Sequence, residues 1–237
     1  MKPHYQIPIQ ECGEPLVALP AGLFALETPH PYAKRGADYG GQSPYSLRAG
    51  VLAALQQAQA ALQVQQPDWR LQIFDAYRPV AVQQFMVAQA FQELLQTRQL
   101  EAATLSAAER AALEAEVYQF WAPPSFDRAT PPPHSTGAAV DVTLVDGKGE
   151  PLAMGSPIDE LSPRSHPDYF ATSEDPAAAQ YQANRELLAQ VLWGAGFCRH
   201  PHEWWHFSLG DQLWAWQRRQ SQQEPGAIAR YGRWPAD

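Results

Sequence analysis

A histidine and an aspartate stand seven residues apart in Pro131-Pro132-Pro133-His134-Ser135-Thr136-Gly137-Ala138-Ala139-Val140-Asp141-Val142-Thr143-Leu144. The prolines read as an extended lead-in, Gly137 permits a tight bend, and the β-branched run around Asp141 reads as a buried strand. An ionised carboxylate between Val140 and Val142 needs a cation, because burying it unpaired is costly. With an imidazole nearby, that cation is expected to be a divalent metal; the plainer alternative is a strand aspartate holding an arginine.

A second cluster, His200-Pro201-His202-Glu203-Trp204-Trp205-His206-Phe207-Ser208, gathers three histidines and a glutamate among aromatics. Its middle matches H-E-x-x-H, which on a helix sets two histidines one turn apart so that both reach one zinc, with Glu224 available as a third ligand. Such a helix would have to fit between Pro201 and Gly210, carry two adjacent Trp and a Phe, and leave His134 and Asp141 unexplained. A strand suits the aromatics better. In a regular strand His202 and His206 are about 13 Å apart at ~3.3 Å per residue, so only one of them can be a ligand. Glu203 and His206 would point to opposite faces, so the chain must bulge or turn if both serve one metal. The alternative is an aromatic core strand with hydrogen-bonded histidines.

The flanking elements decide whether these residues meet. Leu47, Val51, Leu55, Ala58 and Leu62 predict a helix from Ser46 that ends before Pro67. Leu71–Tyr77 reads as a strand, and Arg78-Pro79 then opens a second helix. Arg78 thus lies at a strand-to-helix junction, a place for a salt bridge or for an anion. Ser106-x-x-Glu109 is a capping box ahead of a third, short helix. Asp146–Gly149 reads as a turn and Met154–Glu160 as a loop in which Asp159 caps a turn. The last long helix is expected from about Pro176 to Trp193, followed by a strand at Phe197–Arg199. Tyr32, Tyr39 and Tyr45 punctuate a long N-terminal loop of the kind that serves a site.

The 237 residues suffice for one domain, 1–237, with 1–45 as a loop-rich segment of it. A net charge of -8 without a basic tract argues against nucleic acid or an anionic membrane and leaves a small molecule as the expected ligand. The N-terminus lacks an apolar signal-like run and no stretch approaches the ~18 apolar residues of a membrane helix, so a cytoplasmic address is expected. Cys12 and Cys198 show neither CxxC nor Cys/His spacing, which suggests neither a disulfide framework nor a thiolate zinc site.

Three segments together resemble the VanX-type D-alanyl-D-alanine dipeptidases within the zinc D,D-peptidases: Asp75-Ala76-Tyr77-Arg78-Pro79, His134 through Leu144, and Glu203-Trp204-Trp205-His206-Phe207. Met154–Asp159 and Arg164-Ser165-His166 look like the VanX branch itself. The resemblance implies an α+β domain with a central antiparallel sheet flanked by helices. It implies one zinc per chain bound by His134, Asp141 and His206, Glu203 as general base and then acid, Arg78 as oxyanion stabiliser and Asp159 as the anchor of a free amino group. The implied substrate is a small D,D-dipeptide, most simply D-Ala-D-Ala. Pro132 stands where the family often has a serine for the substrate carboxylate, Thr136 replaces a frequent arginine, and Tyr32, Tyr39 and Tyr45 are all candidates for a substrate-touching tyrosine. Two other readings stay open: a D,D-carboxypeptidase or dipeptidase of other stereochemistry, and a zinc- or peptide-binding module without catalysis.

Overall fold

The computed structural model describes residues 2–235. Its chain order is β1 (Leu16–Ala18), β2 (Ala25–Leu26), α1 (Pro31–Lys34), β3 (Ser46–Arg48), α2 (Ala49–Gln65), β4 (Arg70–Asp75), α3 (Val80–Thr97), α4 (Ala107–Phe120), β5 (Ala139–Val145), α5 (Pro176–Gly194), β6 (Cys198–Arg199), β7 (His206–Ser208) and α6 (Gln212–Gln220). The main sheet runs β2-β4-β5-β7-β6, and β1 pairs with β3 in a small second sheet. The α+β class with an antiparallel central sheet holds, except at one edge, where β2 pairs parallel with β4.

Several boundaries differ from the sequence reading. Ser46–Arg48 is strand rather than helix, because Leu16–Ala18 supplies it with an antiparallel partner. The N-terminal segment, expected as loop, therefore carries β1, β2 and α1. Of His200–Ser208 only His206–Ser208 is strand; Pro201–His202 form a turn and Trp204–Trp205 a bend. Helix α6, which the sequence reading omits, starts where the Asp211 side chain accepts from the Trp214 N–H. The capping box at Ser106 and Glu109 forms as expected.

The core explains which face carries the chemistry. On β5, Val140, Val142 and Leu144 are fully buried in a cluster with Leu55 and Leu62 of α2 and Leu188 and Leu192 of α5. Each such side chain contributes roughly 1.5–3 kcal/mol by burial. Strand alternation then turns Asp141 to the opposite face. On β4, Ile73 pairs with Val142 on the core side, yet the next pair is Asp75 with Asp141, because the register shifts between Ile73 and Asp75. Two residues of β4 thus oppose one of β5, and this irregularity brings Asp75 round to the side of Asp141. A second apolar cluster, with Val82, Met86 and Phe91 of α3, Val117 of α4, Tyr32 and Trp121, packs beside that face.

Candidate metal centre

His134 arrives on a 3-10 turn, Pro133–Thr136, that ends at Gly137 with φ +71°. A Cβ at Gly137 would run into Leu16, so both the left-handed backbone and the close approach call for glycine. The buried Arg48 locks this turn: its Nε donates to the Thr136 carbonyl (2.8 Å) and its backbone N–H to that of Gly137 (2.8 Å). Asp141 and His206 are register partners on β5 and β7. The bend at Trp204–Trp205 is what returns Glu203 to the side of His206, the departure from a regular strand that their spacing requires.

The ligand atoms of His134, Asp141 and His206 all lie within 4.8 Å of one another, and the three residues are buried. His134 Nε2 is 3.1 Å from His206 Nδ1 and 3.2 Å from Asp141 Oδ2, and His206 Nδ1 is 3.1 Å from Asp141 Oδ1. Donors at zinc bond lengths in a tetrahedral shell stand about 3.4 Å apart, so this set fits a metal after a slight expansion. The tautomers fit as well. His134 Nδ1 can only donate to the Ala76 carbonyl (2.7 Å), which leaves Nε2 with a free lone pair. His206 Nε2 lies 3.3 Å from Ser208 Oγ, which can accept from it and so leave the Nδ1 lone pair free. Burial raises the Asp141 carboxyl, but His134 and His206 outweigh it and hold it well below the usual carboxylate range.

Arg78 lies beside the trio. Its Nε donates to Asp75 (2.9 Å), Nη1 to Gln83 (2.8 Å), and Nη2 to Tyr32 Oη and Asp141 Oδ2 (3.1 Å each). The rings of Tyr32 and Trp121 lie 4.8 and 5.2 Å from its guanidinium carbon and 6.0 Å from each other. Of five N–H groups, one on Nη1 is left to face the pocket that Arg78 lines. Asp75, fully buried, also accepts from His30 (3.0 Å) and Tyr39 (3.2 Å), so it is hydrogen-bonded by groups outside the pocket as well as by Arg78.

Glu203 Oε2 is 3.8 Å from His206 Nδ1 and Oε1 is 3.6 Å from His200 Nδ1. Among the described residues no strong hydrogen bond fixes its carboxylate; burial, then the charge of Asp141, pushes its pKa well above the ordinary glutamate value. A dication among the three ligands would oppose that rise. Across the pocket, Asp159 accepts from Tyr32 Oη (2.8 Å). Its carboxyl is pushed up to about 7 by burial first and by Asp141 next, against Arg78 and Tyr32. The loop carrying it is tied down by the buried Arg185, which donates to the carbonyls of Met154 (2.7 Å), Arg164 (2.9 Å) and His166 (2.9 Å).

All six sequence-derived site residues, His134, Asp141, His206, Glu203, Arg78 and Asp159, line one pocket. His202 is exposed, its ring 5.2 Å from that of His166, and stands apart from the trio. Of the three tyrosines, Tyr32 reaches the site, whereas Tyr39 bonds Asp75 and Tyr45 the Glu27 carbonyl. Asp75 lay inside a recognised motif without a role. Lys2 and His4, which also line the pocket, carried no signal in periodicity or spacing.

A sheet end presenting two histidines and an aspartate beside a buried glutamate has the donor set of a metal-dependent hydrolase. Comparison with known proteins agrees in class. The family Peptidase M15, described as D-ala-D-ala dipeptidase, matches residues 26–224. A Synechocystis D-alanyl-D-alanine dipeptidase is 51% identical over 240 residues, 98% of this chain and 97% of that protein. The Escherichia coli D-alanyl-D-alanine dipeptidase is 46% identical over 76 residues, 32% of this chain and 37% of its own length. A solved structure of VanYB in complex with D-Alanine-D-Alanine aligns with TM-score 0.46 and 16% identity, covering 78% of this chain and 81% of that one. The chain belongs to the Peptidase M15 family of D-ala-D-ala dipeptidases.

Proposed function

We propose that this protein is a zinc-dependent dipeptidase that hydrolyses D-alanyl-D-alanine, with residues 1–237 acting as one domain. The observation that carries the reading is the convergence in one pocket of a three-residue donor set, a carboxyl group with no firm hydrogen bond, Glu203, and a second acid, Asp159, at the far side. The packing of Leu19, Phe24 and Leu47 into the core of β4 and β5 supports the single domain.

His134, Asp141 and His206 would hold the zinc, which supplies Lewis-acid polarisation of the scissile carbonyl and a lowered water pKa. Glu203 takes a proton from the attacking water as its oxygen bonds to the carbonyl carbon. It then gives that proton to the leaving amine as the C–N bond breaks. The remaining N–H of Arg78 Nη1 stabilises negative charge on the carbonyl oxygen, and the hydrogen bonds to Asp75, Gln83, Tyr32 and Asp141 keep the donor from turning away. Asp159 pairs with the substrate ammonium, which restricts the enzyme to free dipeptides.

The test is a substrate panel at fixed zinc: D-Ala-D-Ala, L-Ala-L-Ala, N-acetyl-D-Ala-D-Ala and a tripeptide ending in D-Ala-D-Ala. D-Ala-D-Ala is expected to exceed each of the others by about a hundredfold in kcat/KM. Equal or faster cleavage of the acetylated dipeptide or the tripeptide would replace the dipeptidase by a carboxypeptidase.

A further inference from the structure

A dipeptide is a zwitterion, and the pocket as described answers only its ammonium end. The carboxylate end also loses water on entering and needs a cation. Among the residues lining the pocket the Lys and Arg side chains are Arg78 and Lys2. Arg78 has four of its five donors engaged and faces the scissile carbonyl in the reading above. Lys2 is different: it is partly buried, yet its ammonium makes no hydrogen bond or ion pair with any described residue.

Lys2 is not in the pocket by the fraying of a loose end. The segment behind it forms a 3-10 turn, Pro3–Gln6, whose Tyr5 N–H donates to the Lys2 carbonyl (3.1 Å). Ile7 is buried in a cluster with Ala215 of α6, Ala227 and Ala229, and Gln212 Nε2 donates to the Ile7 carbonyl (2.8 Å). The Gln10 N–H then donates to the Ala229 carbonyl (2.8 Å). These contacts hold the strap against the body of the protein and carry Lys2 to the pocket wall.

Lys2 and Asp159 also differ in the neighbours whose charge they influence. Lys2 acts on Glu203, His4, His200 and His202, whereas Asp159 acts on Tyr32 and Arg78. Glu203 feels both, and with opposite sign. Glu203 thus shares one pocket with an acid, Asp159, and a cation, Lys2, the two charges that the termini of a dipeptide need.

We propose that Lys2 is a substrate-binding residue that pairs with the C-terminal carboxylate of the dipeptide, so that the N-terminal strap completes the specificity pocket. The inference rests on the dipeptidase reading and deepens it. On the Lys2 side the wall is otherwise His4, His200 and Leu213, none of which bears a fixed positive charge, and Pro133 near the donor set has no N–H to offer. A substrate with a neutral C-terminus leaves Lys2 as it is in the free protein, desolvated and unanswered.

The test compares D-Ala-D-Ala with D-alanyl-D-alaninamide, which keeps the ammonium and the scissile bond and lacks the carboxylate. In Lys2→Met the preference for the acid over the amide, as a ratio of kcat/KM, is expected to fall at least about tenfold, through KM rather than kcat. Lys2→Arg is expected to restore most of that preference, since it restores the charge. Zinc content and circular dichroism of both variants check that the metal centre and strap persist. An unchanged preference in Lys2→Met overturns the assignment, as does an equal loss on both substrates, which would place Lys2 at Glu203 alone. Wild-type protein that leaves D-Ala-D-Ala intact overturns the dipeptidase reading itself, and is told apart because it needs no variant.

Discussion

Asp141 stands in a strand paired on both sides and touches Arg78, His134 and His206, whereas Asp159, in the same pocket, sits in a loop at φ +66° with one hydroxyl on its carboxylate. The carboxyl of the first is driven down by its neighbours and that of the second is driven up by burial and by the charge of Asp141. Groups borne by the sheet have their charges answered inside the protein before any ligand arrives. On the proposed reading, Asp159 and Lys2, which lie outside the sheet, pair with charges that a substrate brings. Removing a member of the donor trio should therefore damage the metal centre, and removing Asp159 or Lys2 should damage substrate selection only.

The sharpest way to break this contrast is metal analysis. Alanine at His134, Asp141 or His206 is expected to abolish stoichiometric zinc and activity together, while His202→Ala keeps both. A zinc-free His202→Ala protein beside a zinc-bound Asp141→Ala protein would restore the helical H-E-x-x-H arrangement. Glu203→Gln should keep the metal and lose at least ~10³-fold in kcat, the scale of a positioned proton-transfer group. Near-normal turnover there would remove Glu203 from the chemistry.

Arg78→Ala probes the seam between the two halves. Loss of one oxyanion donor is expected to lower kcat by ~10²–10³ with zinc retained. Because Asp75 and Asp141 lose a buried partner, thermal unfolding should also show a loss of about 3–5 kcal/mol. A fully active, fully stable variant would contradict both halves of the argument. Asp159→Asn should act on substrate alone, with about a hundredfold loss in kcat/KM for D-Ala-D-Ala and no change in zinc content or melting temperature.

The smallest effect is a pH limb. On the proposed reading, ammonium binding needs Asp159 ionised, and its carboxyl is pushed up to about 7. Affinity is then full above that value and falls as the pH drops through it, by about tenfold per unit once the proton is bound. Bound zinc offsets the charge of Asp141 and so moves the limb lower. Tyr32→Phe removes a hydrogen bond that favours the ionised form and should move the limb of KM to higher pH than in the wild type. A shift to lower pH would separate Tyr32 from Asp159.

Much of the sheet half was legible in the sequence, because strand and helix periodicity are local properties. The β-branched run around Asp141 forms β5, Ala139–Val145, and the Ser106 capping box forms as read. The boundary at Ser46 went the other way for a non-local reason: a strand needs a partner, and Leu16–Ala18 provides one from about thirty residues upstream. The turn between Glu203 and His206 could be required from their spacing, but its place at Trp204–Trp205 depends on contacts such as the Trp204 N–H to the Ser165 carbonyl (3.0 Å).

By itself the sequence singled out the residues expected to carry the chemistry, H-x6-D and E-x-x-H by type and spacing and Arg78 and Asp159 through the resemblance to the VanX-type dipeptidases. Only the tertiary structure decided how their charges are shared. The irregularity in β4 that sets Asp75 beside Asp141, the choice of Tyr32 among three tyrosines and the delivery of Lys2 to the pocket all depend on chain segments far apart in sequence. Electrostatic interactions act through space and weaken with distance, so a side chain gains its partner only when the fold brings the two together, and no periodicity in the chain records that approach.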